Sequence, residues 1–337
     1  MKAVVLGSGA WGTALAMALC DNGHDVTLWS HRPDTAALLE ERRENPKLEG
    51  VRLPDTMKFS SDMACAAEAE LVVSAAPSFA VRETAEKAAP YLRPDAVVVS
   101  VSKGIERDTG LRMSQIIRES IGDKCKVAVL SGPSHAEEVS RRLPTGCVAA
   151  CPDEAVACFV QDAFMNDYFR IYTSPDVVGV ELAAALKNVV ALSCGICDGM
   201  GYQDNTKALL MTRAMAEIAR LGEKLGGDRQ TFGGLAGMGD LIVTCTSMHS
   251  RNRRCGILIG QGVPVEEAIK QIGAVVEGYY ATANGKALAD KMGVEMPITE
   301  AAYSVLYEGK DPRQVLTELM TRARKGEIEN AWSYPVK

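Results

Sequence analysis

Residues 2–20 read KAVVLGSGAWGTALAMALC, and this stretch decides the fold. An apolar run at 3–6 predicts a buried strand and the residues at 13–20 predict a helix, so GSGAWG at 7–12 lies between them. In such a turn Gly7 permits the sharp bend, Gly9 lets the backbone approach a pyrophosphate, and Gly12 allows close helix–strand packing. Because the helix N-terminus adds free amides and a positive dipole, we predict a dinucleotide site. A glycine-rich turn that binds nothing is the alternative.

The same alternation of strand and helix continues beyond the turn. Short apolar and β-branched runs recur at 25–29, 71–75, 96–101 and 127–131, which predicts a doubly wound, mostly parallel sheet of Rossmann type. From about residue 176 long helical patterns follow, at 177–197 and 207–225, while glycines at 226–227 and 233–239 indicate loops and residues 309–312 separate two late helices. We therefore predict an α/β domain over residues 1–178 and an all-α domain over residues 179–337.

The composition excludes several classes of protein. Of the 337 residues, 47% are hydrophobic and 24% are charged, and no apolar run approaches twenty residues, so neither a membrane-spanning nor a disordered chain is expected. A formal net charge of -6 argues against a nucleic-acid partner. Glycines follow the first apolar run too early for a signal peptide, so we expect a cytoplasmic protein.

The cysteines give one pair that suggests redox or metal chemistry. Ten cysteines in a chain without an export signal are expected to be reduced. Cys194 and Cys197 have a CxxC spacing, but a zinc site needs a second pair at comparable spacing, and Cys147 and Cys151 are a poor candidate. We therefore expect no metal, and we interpret Cys194 and Cys197 as small buried side chains.

The residues after the second strand bear on the coenzyme. An NAD-selective enzyme would place a carboxylate there, whereas this chain has Ser30, His31 and Arg32. A guanidinium can bind a 2′-phosphate, so the sequence favours NADP(H). Asp34 keeps NAD(H) open, and Arg32 can also be read as a solvated surface residue.

Lys187 is the strongest candidate for catalysis. It interrupts an otherwise apolar helical stretch, and a buried ammonium group has a lowered pKa that suits a general acid. In carbonyl reduction it would stabilise and then protonate the developing oxyanion. The alternatives are a lysine that reaches the surface or one paired with Glu181. The neighbouring Asn188 would orient the substrate oxygen or the lysine, or pack at a helix end.

A basic segment suggests an anion site. Ser250, Arg251, Asn252, Arg253 and Arg254 precede an apolar helical run, so their donors can cluster around one small dianion, and we read the segment as a phosphate clamp. A charged helix face is the alternative. Asp240 follows a glycine-rich stretch and would hold the clamp or the lysine, or cap a helix.

Taken together, these motifs resemble one family. Over nearly its whole length the chain is similar to the bacterial-type NAD(P)-dependent glycerol-3-phosphate dehydrogenases. The resemblance rests on GSGAWGTALA at 7–16, SKG at 102–104, SGPS at 131–134, LKN at 186–188, GDL at 239–241, TCT at 244–246, SRNRR at 250–254, VVEG at 275–278 and EMPITE at 295–300.

The resemblance implies reduction of dihydroxyacetone phosphate to sn-glycerol 3-phosphate for phospholipid synthesis, at a site between the two domains. It implies that Lys187 is the proton donor and that Lys103 contacts both cofactor and substrate. Further substrate-binding positions implied by the resemblance are Gly132, Ser134, Asp240, Ser250, Arg251 and Asn252. Further cofactor-binding positions are Ala10, Trp11, His31, Arg32, Ala136, Arg251, Val275 and Glu277.

Two other functions fit the same fold. A related dehydrogenase could act on a 3-hydroxy acid or another keto acid, although the basic segment suits a phosphate dianion better than a carboxylate. A regulator could bind a dinucleotide without turnover, although it would have no need of a buried lysine. A homodimer is the expected assembly.

Overall fold

The structure is a computed structural model, and it describes residues 1–327. One sheet contains all the named strands, in the spatial order β3-β2-β1-β4-β5-β6-β7-β8. The strand bounds are β1 (Lys2–Leu6), β2 (Asp25–Trp29), β3 (Lys58–Ser60), β4 (Leu71–Ser74), β5 (Val97–Ser100), β6 (Lys126–Ser131), β7 (Thr145–Ala150) and β8 (Phe169–Ser174).

The sheet is parallel from β3 to β6, and this part of it has the Rossmann order. The strand order reverses between β1 and β4, which opens a crevice beyond their carboxyl ends. β7 pairs with β6 in the antiparallel sense, and β8 extends the edge parallel to β7. The predicted mostly parallel, doubly wound sheet is confirmed.

The five predicted strands are present, but β3, β7 and β8 were not predicted. β3 has three residues, none of them fully buried, and β8 alternates buried residues with exposed polar ones. β7 consists mainly of small residues. Pairing with a neighbouring strand stabilises these segments more than their own propensity does, so their local sequence gave little signal.

Helices cover both faces of the sheet. They are α1 (Ala10–Asp21), α2 (Pro33–Arg42), α3 (Val81–Ala88), α4 (Met113–Ile121), α5 (Ala136–Val139) and α6 (Glu154–Phe164). Alternate side chains of β1 enter opposite cores, because Val5 packs in the cluster with α1 and α6 and Val4 in the cluster with α3 and α4. α1 begins at residue 10 rather than the predicted 13, so Gly12 lies inside its first turn.

The rest of the described chain is helical. Its helices are α7 (Val177–Gly199), α8 (Asp204–Lys224), α9 (Arg229–Gly233), α10 (Asp240–Thr246), α11 (Arg251–Gly260), α12 (Val265–Ile272), α13 (Glu277–Met292), α14 (Pro297–Tyr307) and α15 (Pro312–Met320). The late break at 309–312 separates α14 from α15, as expected.

α7 is the central helix of this part. By length and composition it would suffice to cross a membrane, but 89% of its most apolar window is buried inside the fold. The helices α8, α10, α11 and α13 all pack against it. The apolar character of α7 is therefore that of a core helix.

The glycines at 233–239 do not form the expected open loop. Residues 235–239 form a π-helical turn that leads directly into α10. A Cβ at Gly237 would overlap the Phe232 carbonyl, so a glycine is needed there for close packing. The prediction of a loop over this segment was wrong because the glycines permit a close approach between backbone segments.

The last strand ends at Ser174 and α7 begins at Val177. The predicted boundary between residues 178 and 179 therefore falls in the first turn of α7. The predicted second domain runs to residue 337, and its residues 328–337 lie outside the described part of the chain.

Candidate active site

The glycine turn lies at the carboxyl end of β1. Gly7 has a positive φ of 133°, and a Cβ there would lie 2.6 Å from the Ala75 carbonyl oxygen. A Cβ at Gly12 would overlap the Gly7 carbonyl, whereas a Cβ at Gly9 would meet no atom within 4 Å. Gly7 and Gly12 therefore close the turn, and Gly9 leaves the side of the turn at the N-terminus of α1 open.

The next two residues of the turn differ in what they offer. Ala10 is the first residue of α1, so its amide N–H is among those left free at a helix N-terminus. The Trp11 ring packs edge-on against Phe169 of β8, with 6.4 Å between the ring centroids. The side chain of Trp11 is therefore partly buried and packs against the core of the sheet, while its main chain belongs to the first turn of α1.

The residues after β2 are exposed. His31 and Arg32 are both on the surface, and Arg32 is the N-cap residue of α2. Within residues 1–327 the Arg32 guanidinium makes no hydrogen bond or ion pair, and the Arg32 backbone amide donates to the Ser30 hydroxyl oxygen. Asp34 lies in the first turn of the same helix. The guanidinium is thus available to a ligand.

Lys187 lies at the centre of a buried polar cluster. The lysine is 5% exposed, and its ammonium group donates to the Asp240 carboxylate and to the Thr244 hydroxyl, the latter at 2.6 Å. Lys103, in the loop after β5, donates to the other Asp240 oxygen at 2.6 Å and to the Gly132 carbonyl at 3.1 Å. One carboxylate of the helical domain therefore holds lysines from both domains.

The electrostatics of this cluster favour a proton donor. Burial lowers the pKa of Lys187 to about 8, because the loss of hydration and the nearby Lys103 outweigh the attraction of Asp240. Burial alone would raise the pKa of Asp240, but the two ammonium groups lower it below its usual value. The cluster thus carries one carboxylate against two ammonium groups, an excess of positive charge beside the crevice.

The structure contradicts the two alternatives for Lys187, which were a lysine that reaches the surface and a lysine paired with Glu181. The lysine does not reach the surface, and Glu181 turns away from it. The Glu181 carboxylate instead accepts from the Arg112 guanidinium, from the Ser114 backbone amide at 2.7 Å and from the Ser114 hydroxyl at 2.6 Å. Asp240 makes no side-chain cap on α10, so its carboxylate is left to hold the two lysines.

The segment after β6 forms one wall of the crevice. A Cβ at Gly132 would lie 2.8 Å from the Cys147 Cα, so a glycine is required where β6 and β7 approach each other. The Ser134 hydroxyl donates to the Gly132 carbonyl at 2.9 Å, and Lys103 donates to the same oxygen. Ala136 is buried at the start of α5. These contacts bring Gly132 and Ser134 to the lysine cluster.

The side chains of the predicted phosphate clamp differ in whether they bind other parts of the protein. Ser250 is the N-cap residue of α11, and its oxygen accepts from the Arg253 amide at 3.2 Å. Arg251 is exposed, whereas the Arg253 guanidinium binds Asp198 at 2.8 Å. Arg253 is therefore directed away from the clamp, and Ser250, Asn252 and the exposed Arg251 and Arg254 are the clamp residues left at the helix N-terminus.

Asn252 connects three helices. Its amide nitrogen donates to the Asn188 side-chain oxygen at 3.0 Å, and its own oxygen accepts from the Gly278 amide at 2.8 Å. A Cβ at Gly278 would lie 2.5 Å from the Asn188 carbonyl oxygen, so α7 and α13 approach closely at this point. Asn188 therefore orients Asn252 rather than Lys187, while Asn252 retains one N–H for another partner.

Glu277 closes the far side of the crevice. It begins α13 and accepts from the Ser78 hydroxyl, at 2.8 Å and 3.1 Å to its two oxygens. Burial raises the pKa of Glu277, although Ser78 and the nearby Arg251 oppose this. Val275 is half-buried two residues before it.

Thr244 and Ser78 are polar residues of the site that sequence reasoning missed. Thr244 lies one helical turn after Asp240, and that spacing was a usable signal once Asp240 was suspected. Ser78 follows β4 at the edge where the other site residues lie, but a lone serine in a loop gave no signal. Lys103 was found by resemblance alone.

The cysteine pair is part of the core. Cys194 and Cys197 are buried on α7, and all ten cysteines are free. Burial raises the pKa of Cys197 to about 12, which leaves the thiol protonated and unreactive. Among residues 1–327 there is no group of three or more His, Cys, Asp or Glu side chains arranged to hold a metal ion.

Known proteins match both parts of the chain. Residues 2–157 match the family described as NAD-dependent glycerol-3-phosphate dehydrogenase N-terminus, and residues 176–317 match the corresponding C-terminus family. A protein of Moorella thermoacetica named glycerol-3-phosphate dehydrogenase [NAD(P)+] is 53% identical over 328 residues, which cover 97% of each chain. A protein of Geobacillus thermodenitrificans with the same name is 50% identical over 97% of this chain and 96% of its own.

A solved structure supports the same assignment. The glycerol-3-phosphate dehydrogenase of Coxiella burnetii superposes with a TM-score of 0.91 at 36% identity, over 95% of this chain and 99% of the other. Both family regions, the full-length relatives and this solved structure therefore agree with the fold. The chain belongs to the NAD-dependent glycerol-3-phosphate dehydrogenase family.

Proposed function

We propose that the chain reduces dihydroxyacetone phosphate to sn-glycerol 3-phosphate with NAD(P)H and also catalyses the reverse reaction. The product supplies glycerophospholipid synthesis. The observation that carries this proposal is the buried Lys187, whose ammonium group lies against Asp240 beside the crevice of a dinucleotide-binding sheet. The relatives that match over the whole chain are named for this activity. The chain is accordingly an oxidoreductase that uses a nicotinamide cofactor.

The glycine turn fits a dinucleotide. A Cβ at Gly9 would project into open space, so a pyrophosphate can approach the main chain there and face the N-terminus of α1. When bound, the reduced nicotinamide supplies a hydride to the carbonyl carbon of the substrate. We assign cofactor binding to Gly7, Gly9, Ala10, Trp11, Gly12, His31, Arg32, Lys103, Ala136, Arg251, Val275 and Glu277.

Lys187 handles the proton of the reaction. As carbonyl reduction develops negative charge on oxygen, the ammonium group stabilises that charge and donates its proton. With a pKa of about 8 the lysine is mostly protonated at neutral pH and still loses its proton readily. In the reverse reaction the neutral amine accepts the proton of the hydroxyl. Asp240 and Thr244 hold the nitrogen in place for both directions.

The phosphate end of the substrate is assigned to the N-terminus of α11. Ser250, Arg251 and Asn252 offer hydroxyl, guanidinium and amide donors there, and the free main-chain amides of the helix add to them. Gly132, Ser134 and Lys103 form the wall that joins this end to Lys187. Two ammonium groups and one guanidinium favour a dianionic substrate over a keto acid.

The activity is tested by initial rates of NADPH and NADH oxidation. We expect turnover with dihydroxyacetone phosphate and at least hundredfold lower kcat/KM with unphosphorylated dihydroxyacetone, since loss of the charged hydrogen bonds costs on the order of several kcal/mol. Turnover with a keto acid in place of the phosphorylated ketone would replace this function with that of a keto-acid reductase. Cofactor binding without turnover of either would indicate a sensor.

A preference for NADP(H) is proposed from Arg32. The exposed guanidinium, with His31 beside it, can bind a 2′-phosphate. We expect Arg32→Asp to lower kcat/KM with NADPH by about tenfold or more, while the value with NADH changes much less. The ratio of the two values for wild type and variant measures this. An equal loss with both coenzymes would remove the 2′-phosphate role from Arg32.

Three further properties are proposed. The division at residues 178 and 179 separates the cofactor domain from the substrate domain, the enzyme is cytoplasmic, and it forms a homodimer. The homodimer is the commonest assembly of such enzymes on general grounds. Light scattering of the purified protein, at concentrations that bracket the micromolar range, would distinguish the dimer from a monomer.

A further inference from the structure

Helices α7 and α11 pack backbone against backbone. Glycines recur every fourth residue on both helices, at Gly195 and Gly199 on α7 and at Gly256 and Gly260 on α11. A Cβ on any of these glycines would overlap a main-chain carbonyl of the facing helix. The two helices therefore have one close-packed arrangement, because any sliding would bring a carbonyl against a neighbouring side chain.

An ion cluster lies beside this contact. The Asp198 carboxylate, on α7, accepts from Arg253 Nε and Nη2 on one oxygen, each at 2.8 Å, and from Lys207 Nζ on the other at 3.0 Å. The side chains of all three are no more than 15% exposed. Both carboxylate oxygens of Asp198 are thus bound by basic side chains of the protein itself.

Arg253 then ties down the segment that begins α11. Its Nη1 atom donates to the Thr246 carbonyl at 2.9 Å, and its backbone amide donates to the Ser250 hydroxyl oxygen at 3.2 Å. Thr246 ends α10, the helix that carries Asp240 and Thr244. The Arg253 guanidinium therefore links α7 to the end of α10, and the main-chain amide of the same residue completes the cap of α11.

The same rigid helix carries Lys187 and Asp198. Asp198 lies eleven positions after Lys187, which corresponds to about 16 Å of helix axis at about 1.5 Å per residue. Lys187 holds the start of α10 through Asp240, while Asp198 holds the end of α10 through Arg253. The position of the clamp relative to the proton donor is consequently set by α7.

We propose that Asp198 is a positioning residue for phosphate recognition. By holding Arg253 against the glycine-packed pair of α7 and α11, Asp198 fixes the N-terminus of α11 relative to Lys187. The phosphate donors Ser250, Arg251 and Asn252 lie at that N-terminus. The inference rests on the proposed function, because it assigns a cause to the selectivity for a phosphorylated ketone. Asp198 itself touches neither the substrate nor Lys187. Asp198 instead determines the position of the groups that donate hydrogen bonds to the phosphate.

The test is the isosteric variant Asp198→Asn in the full-length enzyme. The substitution keeps the shape of the side chain and removes the charge that holds both Arg253 and Lys207. We expect KM for dihydroxyacetone phosphate and Ki for inorganic phosphate each to rise by about tenfold, with kcat changed less than threefold. The value of kcat/KM for unphosphorylated dihydroxyacetone should stay within about twofold of wild type.

The matched control is Asp290→Asn, which removes a charge of the same kind from an exposed pair with Lys286 on α13. It should leave all four constants unchanged. A second variant, Arg253→Lys, keeps the positive charge but loses the Thr246 contact, and we expect it to raise Ki for inorganic phosphate as Asp198→Asn does. Far-ultraviolet circular dichroism and the melting temperature report whether either variant is folded.

The outcomes separate two kinds of failure. If wild type fails to reduce dihydroxyacetone phosphate, the proposed function falls. If wild type is active and Asp198→Asn loses activity equally with phosphorylated and unphosphorylated substrate, or keeps the wild-type Ki for phosphate, the positioning role is overturned while the function stands. A misfolded Asp198→Asn leaves the decision to Arg253→Lys, for which an unchanged Ki for phosphate overturns the role.

Discussion

At the scale of single residues, the balance between burial and charge decides what Lys187 can do. Water is excluded from the ammonium group, which favours the neutral amine, whereas Asp240 favours the charged form. Burial outweighs the attraction of Asp240, which limits the fall, so the pKa of Lys187 is lowered to about 8. Without Asp240 the pKa of the buried lysine would be lower still, whereas a lysine at the surface would keep its ordinary, higher pKa.

Removal of the proton donor is the most direct test of this residue. Lys187→Ala should lower kcat for reduction by roughly 10²-fold or more, the scale of general acid catalysis, while the Kd for the cofactor changes little. Stopped-flow rates and a fluorescence titration with NADPH measure the two quantities. Lys187→Arg serves as a control that keeps the positive charge but cannot release its proton near neutral pH. Wild-type turnover in Lys187→Ala would exclude the lysine from the chemistry.

The pH dependence follows from the sign of the same pKa shift. Reduction needs the protonated lysine, so kcat/KM should fall as pH rises through about 8, while oxidation of glycerol 3-phosphate should rise over that range. Asp240 raises the pKa of Lys187, so Asp240→Asn should move the alkaline limb of reduction to lower pH by about one unit or more.

Profiles of kcat/KM between pH 6 and 10 would measure this shift. Asp290→Asn, at an exposed ion pair, is the control for the loss of one negative charge. An alkaline limb that stays in place in Asp240→Asn would mean that another group titrates in the wild-type profile.

At the scale of elements, one buried carboxylate joins α8 to α14. Glu217 is 4% exposed, and its two oxygens accept from the Ile298 amide at 2.9 Å and 3.1 Å, at the N-terminus of α14. Burial raises the pKa of Glu217 to about 7, because the helix amides only partly replace water. The protonated side chain is therefore favoured in the folded protein relative to the unfolded chain.

This shift predicts a pH-dependent stability. A carboxyl whose folded pKa is raised contributes stability at low pH that is lost as pH rises from its unfolded value of 4.5 through about 7. Glu217→Gln imitates the protonated form. At pH 8 its free energy of unfolding should therefore exceed that of the wild type by on the order of 2 kcal/mol. The advantage should vanish near pH 4.5. Urea unfolding at both pH values measures it, with the exposed Glu318→Gln as control, and equal stabilities at pH 8 would contradict the assignment.

At the scale of the whole molecule, polar contacts join the two domains at the base and the mouth of the crevice. Lys103 binds Asp240, Ser78 binds Glu277, and the Asn284 amide donates to the Ile105 carbonyl at 2.8 Å. Arg112 and Ser114, at the N-terminus of α4, bind Glu181 of α7. These contacts hold the loop that carries Lys103 in register with the helix that carries Lys187.

The Glu181 contact should matter most for stability, because it is the most deeply buried of these links. Glu181→Ala leaves the Arg112 guanidinium and the Ser114 amide without their acceptor, and we expect it to lower the free energy of unfolding by about 3 kcal/mol. Glu181→Gln retains an acceptor for Ser114 and should cost less. Urea unfolding of both variants tests the order, and a Glu181→Ala protein as stable as wild type would refute it.

The sequence by itself determined the features that depend on local pattern. Periodicity along the chain showed β1, β2, β4, β5 and β6, the turn at Gly7, and a long helix around Lys187, because burial on one or both faces constrains consecutive residues. A charged residue inside an apolar helix was visible without any neighbour. The three edge or antiparallel strands were missed, since their stability comes from the strands beside them.

The tertiary structure alone decided which polar groups meet. Glu181 lies close to Lys187 along the chain, yet the lysine pairs with Asp240, which is 53 residues away. Arg253 belongs by sequence to the clamp, yet it turns to Asp198. Spacing along the chain specifies which side chains share a helix face. The partner of a buried charge depends instead on which helices pack together, and glycines decide how closely they can do so. Such contacts join residues that are far apart in the chain.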